Sequence, residues 1–130
     1  MIIIGHRYIE YDPLYFIKEI EDIKNTPPNS TLIFEFNEKN IPIAKHCQKN
    51  GIDFAIIADT KRELYFANLF DPKYIICDKN AILVAQKFAD DYIIDAKILL
   101  YSSDEKDLDF VASNAIDGIL FEEAIDYGSC

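Results

Sequence analysis

Phe54-Ala55-Ile56-Ile57-Ala58-Asp59-Thr60-Lys61-Arg62-Glu63-Leu64 holds the fold in miniature. Its first five residues are apolar without alternation, which is how a strand buried on both faces reads, and such strands belong to parallel sheets covered by helices. Thr60 and Glu63 then stand at the spacing of a capping box, so a helix is expected to open at Lys61 and run to about Phe70.

The same phrase recurs in both directions. Apolar runs predict further strands at Ile2–Ile4, Thr31–Phe36, Tyr74–Cys77, Ala96–Tyr101 and Gly118–Phe121. Between them lie helical patterns with recognisable ends. Asp12-Pro13 offers a cap and a first-turn proline ahead of Phe16, Ile17, Ile20 and Ile23. Asn37 and Gly51 bracket a second helix, Ala81–Tyr92 reads as a fourth, and Ser102-Ser103-Asp104-Glu105 has the spacing of a box opening a fifth over about Glu105–Ala115. Thr26-Pro27-Pro28-Asn29-Ser30 is a turn.

Strict alternation with short connections gives right-handed βαβ units and one parallel sheet. The 130 residues suit a single α/β domain spanning 1–130. The architecture expected is a three-layer αβα domain with a doubly wound, mostly parallel sheet of five or six strands, flavodoxin-like or Rossmann-like. The alternative is a half-barrel that has to dimerise, because a full (β/α)8 barrel takes roughly 250 residues. Asn114-Ala115-Ile116-Asp117-Gly118-Ile119-Leu120-Phe121 is similar to the late strands of barrel enzymes.

Composition narrows the partners. Half the residues are hydrophobic, including nine Phe and eight Tyr, enough for a core without disulfide or metal staples. The net charge of −10 opposes nucleic acid, whose binding rests on phosphate neutralisation, and opposes anionic lipid. Three cysteines, Cys47, Cys77 and Cys130, form no CxxC and no even set, which points to a reducing, cytoplasmic compartment. Cys77 reads as a small buried hydrophobe; Cys130 is expected to be mobile. Met1-Ile2-Ile3-Ile4 is too short for a signal-peptide core, and no apolar stretch approaches the ~20 residues of a membrane span.

In open parallel sheets ligands bind outside the carboxyl ends of the strands, so the residues that follow each strand are the candidates. Glu35, Asp59 and Asp78 end three successive strands, and hard cations such as Mg²⁺ take carboxylate oxygens. The competing role for Asp59 and Asp78 is helix capping. Lys61 and Arg62 occupy the positive end of a helix, where basic residues are disfavoured; with His6 and Arg7 they form a candidate anion site for a phosphorylated or carboxylated metabolite. His6 suits acid–base work near neutral pH or a tight turn after Gly5. His46 is expected to face solvent and Cys47 the sheet, which leaves them unpaired. No GxGxxG, P-loop, GxSxG or HExxH motif occurs, and a receiver-like phosphoacceptor pattern is met only at Asp59.

Two helices are apolar over more than one stripe, through Leu64, Tyr65, Phe66, Leu69 and Phe70 in one and Ile82, Leu83, Val84 and Phe88 in the other. Such helices are deeply covered or meet another chain, and a homodimer is the expectation. Two functions stay open: a regulatory or protein-interaction module, homodimeric through these helices, or a small Mg-dependent enzyme or sensor of an anionic metabolite.

Overall fold

In the computed structural model, which describes residues 1–128, all eight strands belong to one sheet and every pairing is parallel. The strands are β1 (Ile2–Ile4), β2 (Leu14–Phe16), β3 (Thr31–Glu35), β4 (Phe54–Ile57), β5 (Tyr74–Cys77), β6 (Lys97–Ser102), β7 (Gly118–Phe121) and β8 (Ile125–Asp126). The helices are α1 (Ile41–Asn50), α2 (Lys61–Asn68), α3 (Ile82–Tyr92) and α4 (Asp107–Ser113). The α/β class and the parallel sheet flanked by helices follow the alternation of the sequence.

The sheet has eight strands where five or six are expected, and the two extra ones have physical reasons. Leu14-Tyr15-Phe16-Ile17 does not begin a helix after Pro13. Leu14–Phe16 pairs with both β3 and β8, and the Ile17 N–H donates to the Ile33 carbonyl at 3.1 Å. The helical spacing further on survives only as a 3-10 helix, Ile20–Asn25. At the other end, Glu122–Ala124 makes one 3-10 turn that carries the chain into β8.

The strand order is β1-β7-β6-β5-β4-β3-β2-β8. From β2 to β7 each strand lies beside its predecessor, so right-handed crossovers put the helices on one face. Alternate strand residues Phe34, Phe54, Ile56, Ile75 and Ile98 meet Cys47, Leu64, Ala67, Ala85 and Val111 there in one core. The other face carries no helix, yet it is equally buried. Each strand contributes one buried residue to a second core, through Ile4, Leu14, Ile33, Ala55, Ile76, Leu99, Leu120 and Ile125, with Ile2, Phe16, Ile57 and Tyr74 partly buried against them. A flat eight-stranded sheet would hold its edges roughly 34 Å apart at ~4.8 Å per strand. Instead, a Cβ on Gly5 at the end of β1 would lie 3.0 Å from the Cβ of Ala124, just before β8. The sheet is curled until its edges meet, and its inner face is filled by its own side chains.

Glycine makes two of the closest approaches possible. Gly5 has φ +100° where β1 runs past the chain entering β8. A Cβ on Gly118 would come within 2.7 Å of Ile2 Cβ and closer still to the Ile2 carbonyl oxygen, so β1 packs against β7 only because that side chain is missing. The curl lies on the side of the barrel alternative, reached within one chain.

Candidate functional site

The carboxyl edge of the sheet collects the residues that follow each strand. Thr60 caps α2 as its spacing predicts: Oγ1 accepts from the Glu63 N–H at 3.2 Å, while Glu63 Oε1 accepts from the Asp59 N–H at 3.0 Å. Asp78 Oδ1 accepts from the N–H groups of Asn80 and Ala81 at 2.9 and 3.1 Å, tightening the turn into α3. Asn37 Oδ1 accepts from the Asn40 N–H at 2.9 Å and opens the turn ahead of α1, which ends at Gly51 with φ 65°. The box expected at Ser102–Glu105 does not form. Ser102 is still the last residue of β6, and α4 begins only at Asp107.

Glu35, Asp59 and Asp78 stand at the ends of the neighbouring strands β3, β4 and β5, near enough for their charges to be felt at Asp59. Burial first, then Glu63, Asp78 and Glu35, push the Asp59 carboxyl up from its usual range. Among the described residues no three His, Cys, Asp or Glu side chains are grouped closely enough to hold one metal ion.

A cavity of about 150 Å³ lies between the first turns of α2 and α3. Its walls include Asp59, Thr60, Lys61, Leu64, Cys77 and Asn80. Cys77 is buried as expected, and burial, with Asp78 and Asp59 behind it, pushes its thiol up to about 12. At neutral pH that sulfur is a protonated thiol and a poor nucleophile. Cys47 is likewise buried and free, its thiol raised to about 11 by burial. Cys130 lies outside the described residues.

His6 and Arg7 sit elsewhere on the edge, in a cavity of about 280 Å³ shared with Ser103, Glu105, Phe121 and Glu123. His6 Nδ1 accepts from the Tyr8 N–H at 3.1 Å, which places the ring proton on Nε2, 3.4 Å from Glu105 Oε1. Tyr8 and Phe121 flank the ring at 4.5 and 5.9 Å, and the Arg7 guanidinium lies over Tyr8. The four predicted anion-site residues are thus divided: His6 and Arg7 line one cavity, and Lys61 lines another together with Asp59. Arg62 lines neither. Its guanidinium lies over the Phe66 ring at 5.1 Å, on the outer side of α2.

Two polar groupings went unread in the sequence. Asp107 joins Lys79 Nζ at 2.6 Å to Ser102 Oγ at 2.6 Å, linking the end of β5, the end of β6 and the start of α4. Those two partners hold its carboxyl below the usual range, and a base so weakened is ill suited to activating the hydroxyl. Asn40 donates from Nδ2 to the Glu35 carbonyl at 2.8 Å, and its buried Oδ1 has no partner among the described residues. The Asp107 grouping has no local motif, because it joins residues from separate strand ends; Asn40 reaches back five residues to the end of its own strand.

The outer face of α2 and α3 is the largest exposed aromatic grouping on those helices. Tyr65, Phe66 and Leu69 are exposed on α2, and Tyr92 and Ile93 at the end of α3, with Leu69 65 %, Tyr92 72 % and Ile93 87 % accessible. Phe88 links the two helices, with its ring 5.1 Å from Tyr65 and 5.0 Å from Tyr92. Ile93 has φ 51°, a left-handed conformation costly for a β-branched residue.

The fold and its edges define a curled, parallel α/β protein with small polar cavities at the carboxyl edge and an aromatic face on two adjacent helices. No protein-family model matches the chain, and no curated protein sequence matches it. Among the described residues no helix is long and apolar enough to cross a membrane.

Proposed function

We propose that this chain is a small regulatory or protein-interaction module that pairs with a second copy of itself through the outer face of α2 and α3. The observation carrying this reading is the exposure of Tyr65, Phe66, Leu69 and Tyr92 on adjacent helices, with Tyr65 and Tyr92 joined through the ring of Phe88. Exposed aromatic clusters of this kind, flanked by charge, have the composition of interface cores. The free, buried thiols of Cys47 and Cys77 suit a reducing cytoplasm. Light scattering at micromolar concentration is expected to give the mass of two chains. Leu69→Glu, at a position already 65 % exposed, is expected to give one folded chain that melts cooperatively, at a temperature independent of protein concentration. A wild-type monomer across that range overturns the reading.

A second reading is a sensor or Mg-dependent enzyme acting on an anionic metabolite. It is favoured by the cavity that places Lys61 beside Asp59 and the α2 N-terminus. A thermal-shift series with phosphate, sugar phosphates and Mg²⁺ tests it. A ligand at a hundred times its Kd adds about 2.7 kcal/mol, so the melting temperature should rise by several degrees and Lys61→Ala should abolish the rise. No shift with any of them removes this reading.

A further inference from the structure

We propose that the carboxyl edge holds a site for a free α-amino acid, in the cavity of about 320 Å³ at the ends of β2 and β3. Glu35 and the side-chain oxygen of Asn40 take its ammonium group, and Lys18 and Lys39 take its carboxylate. The site uses neither the outer face of α2 and α3 nor the cavity around Lys61, so it goes beyond both readings above.

Asn40 lines this cavity and is only 7 % accessible. Its Nδ2 donates to the Glu35 carbonyl at 2.8 Å, which fixes the way the amide faces. Asn37 Oδ1 accepts from its backbone N–H at 2.9 Å, so the residue is held from both sides. The buried Oδ1 is left with no partner among the described residues. Folded chains rarely leave a buried acceptor in that condition, because it has given up its water without replacement. An amide oxygen only accepts, so the group missing from this wall is an N–H or O–H donor.

Charge selects the donor. The register Phe16↔Ile33 between β2 and β3, carried two residues on, sets Lys18 level with Glu35. The chain keeps that course past Phe16, since the Ile17 N–H donates to the Ile33 carbonyl at 3.1 Å. Asp22 Oδ2 then accepts from the N–H groups of Lys18 and Glu19 at 3.0 and 3.1 Å, which pins Lys18 at the strand end. Lys39 lies in the short 3-10 turn Glu38–Asn40. Both lysines and Glu35 line the one cavity, yet among the described residues none of the three forms an ion pair. A simple anion placed there meets Glu35, and a simple cation meets two lysines. A molecule carrying both signs satisfies both, and its ammonium group supplies the donor that Asn40 Oδ1 lacks. The volume stands at the small end of the about 300–1,000 Å³ usual for small-molecule sites, which suits one amino acid rather than a peptide. Phe16, with Tyr127 packed on its ring at 5.2 Å, adds an aromatic wall for an apolar side chain.

The test follows the side-chain amide resonance of Asn40 by heteronuclear NMR while the full chain is titrated with the common L-amino acids in turn. L-leucine and L-phenylalanine, whose side chains suit Phe16, are expected to bind most tightly. The matching amine and acid, isopentylamine and isocaproate for leucine, each lack one charged group and are expected to bind at least about tenfold more weakly. Glu35→Gln and Lys39→Met, both at exposed positions, are expected to weaken binding about tenfold or more, with melting curves showing each variant folded. No saturable shift with any amino acid up to about 10 mM overturns the site. So does an amine or acid that binds as tightly as its amino acid, or binding that survives both substitutions. Binding lost in Lys61→Ala and kept in Lys39→Met places the amino acid in the other cavity and overturns the assignment as well. None of these outcomes depends on whether the chain pairs with itself.

Discussion

Asp59 and Asp107 both stand on the carboxyl edge and pull the pH dependence of stability in opposite directions. Asp59 is raised by burial and by Glu63, Asp78 and Glu35, so its ionised form is disfavoured in the fold. That penalty is complete above its folded pKa, is relieved as pH falls toward the ordinary value of 3.8, and is gone below it. Asp107 is lowered by Lys79 and Ser102, so its contribution is present above 3.8 and is lost as pH falls through its lower folded value. Asp59→Asn is accordingly expected to raise the urea midpoint at pH 7, and to raise it less as pH falls toward 4. A variant equal to wild type at every pH would show that the acidic neighbours do not act on Asp59. Residues that signal through their own neighbours were legible here. Thr60 with Glu63, Asn37 and Gly51 all act where the sequence places them, because a cap is a matter of three or four consecutive residues. Ser102 misleads because the same hydroxyl-to-acid spacing occurs inside a strand end, where the extended backbone sends it to Asp104 and Asp107 instead.

Elements were legible in proportion to how locally they are determined. β3 to β7 and α1 to α4 follow their apolar runs and caps, with α4 shortened to Asp107–Ser113. β2 was hidden, since Asp12-Pro13 and the spacing of Phe16, Ile17, Ile20 and Ile23 satisfy a helix as a sequence pattern. Pairing with β3 and β8, which no local pattern reveals, draws Leu14–Phe16 into the sheet. A second tie of this scale joins α3 to the amino ends of β6 and β7. Asp117 Oδ2 accepts from the Ile98 N–H at 2.9 Å, Oδ1 accepts from Gln86 Nε2 at 3.2 Å, and the Asp117 N–H donates to Gln86 Oε1 at 2.9 Å. Gln86 is buried at 4 %, so its partners are not replaced by water. Asp117→Ala is expected to cost about 1–3 kcal/mol in urea unfolding, because it leaves the Ile98 N–H unsatisfied. Asp117→Asn keeps an oxygen for one donor and should recover part of that loss. An alanine variant as stable as wild type would show that the tie contributes nothing.

At the scale of the molecule, what could not be read was how few residues a curled sheet needs. The expectation of roughly 250 residues for eight strands assumes an α-helix after each one. Here the β1–β2, β2–β3 and β7–β8 connections carry no α-helix, and strands of two to six residues suffice. The inner core takes one or two side chains from each strand, which a short strand supplies. Closure has one further consequence. Parallel ladders join every neighbouring pair in the order β1-β7-β6-β5-β4-β3-β2-β8, but among the described residues none joins β1 to β8. Among the described residues the ring thus has a single seam that no backbone ladder crosses, closed by side-chain and loop packing at Gly5 and Ala124. Counting round from that line, the opposite side falls between β5 and β4, the strands that α2 connects. The surface proposed to meet a second copy is therefore mounted on the side of the ring opposite that line.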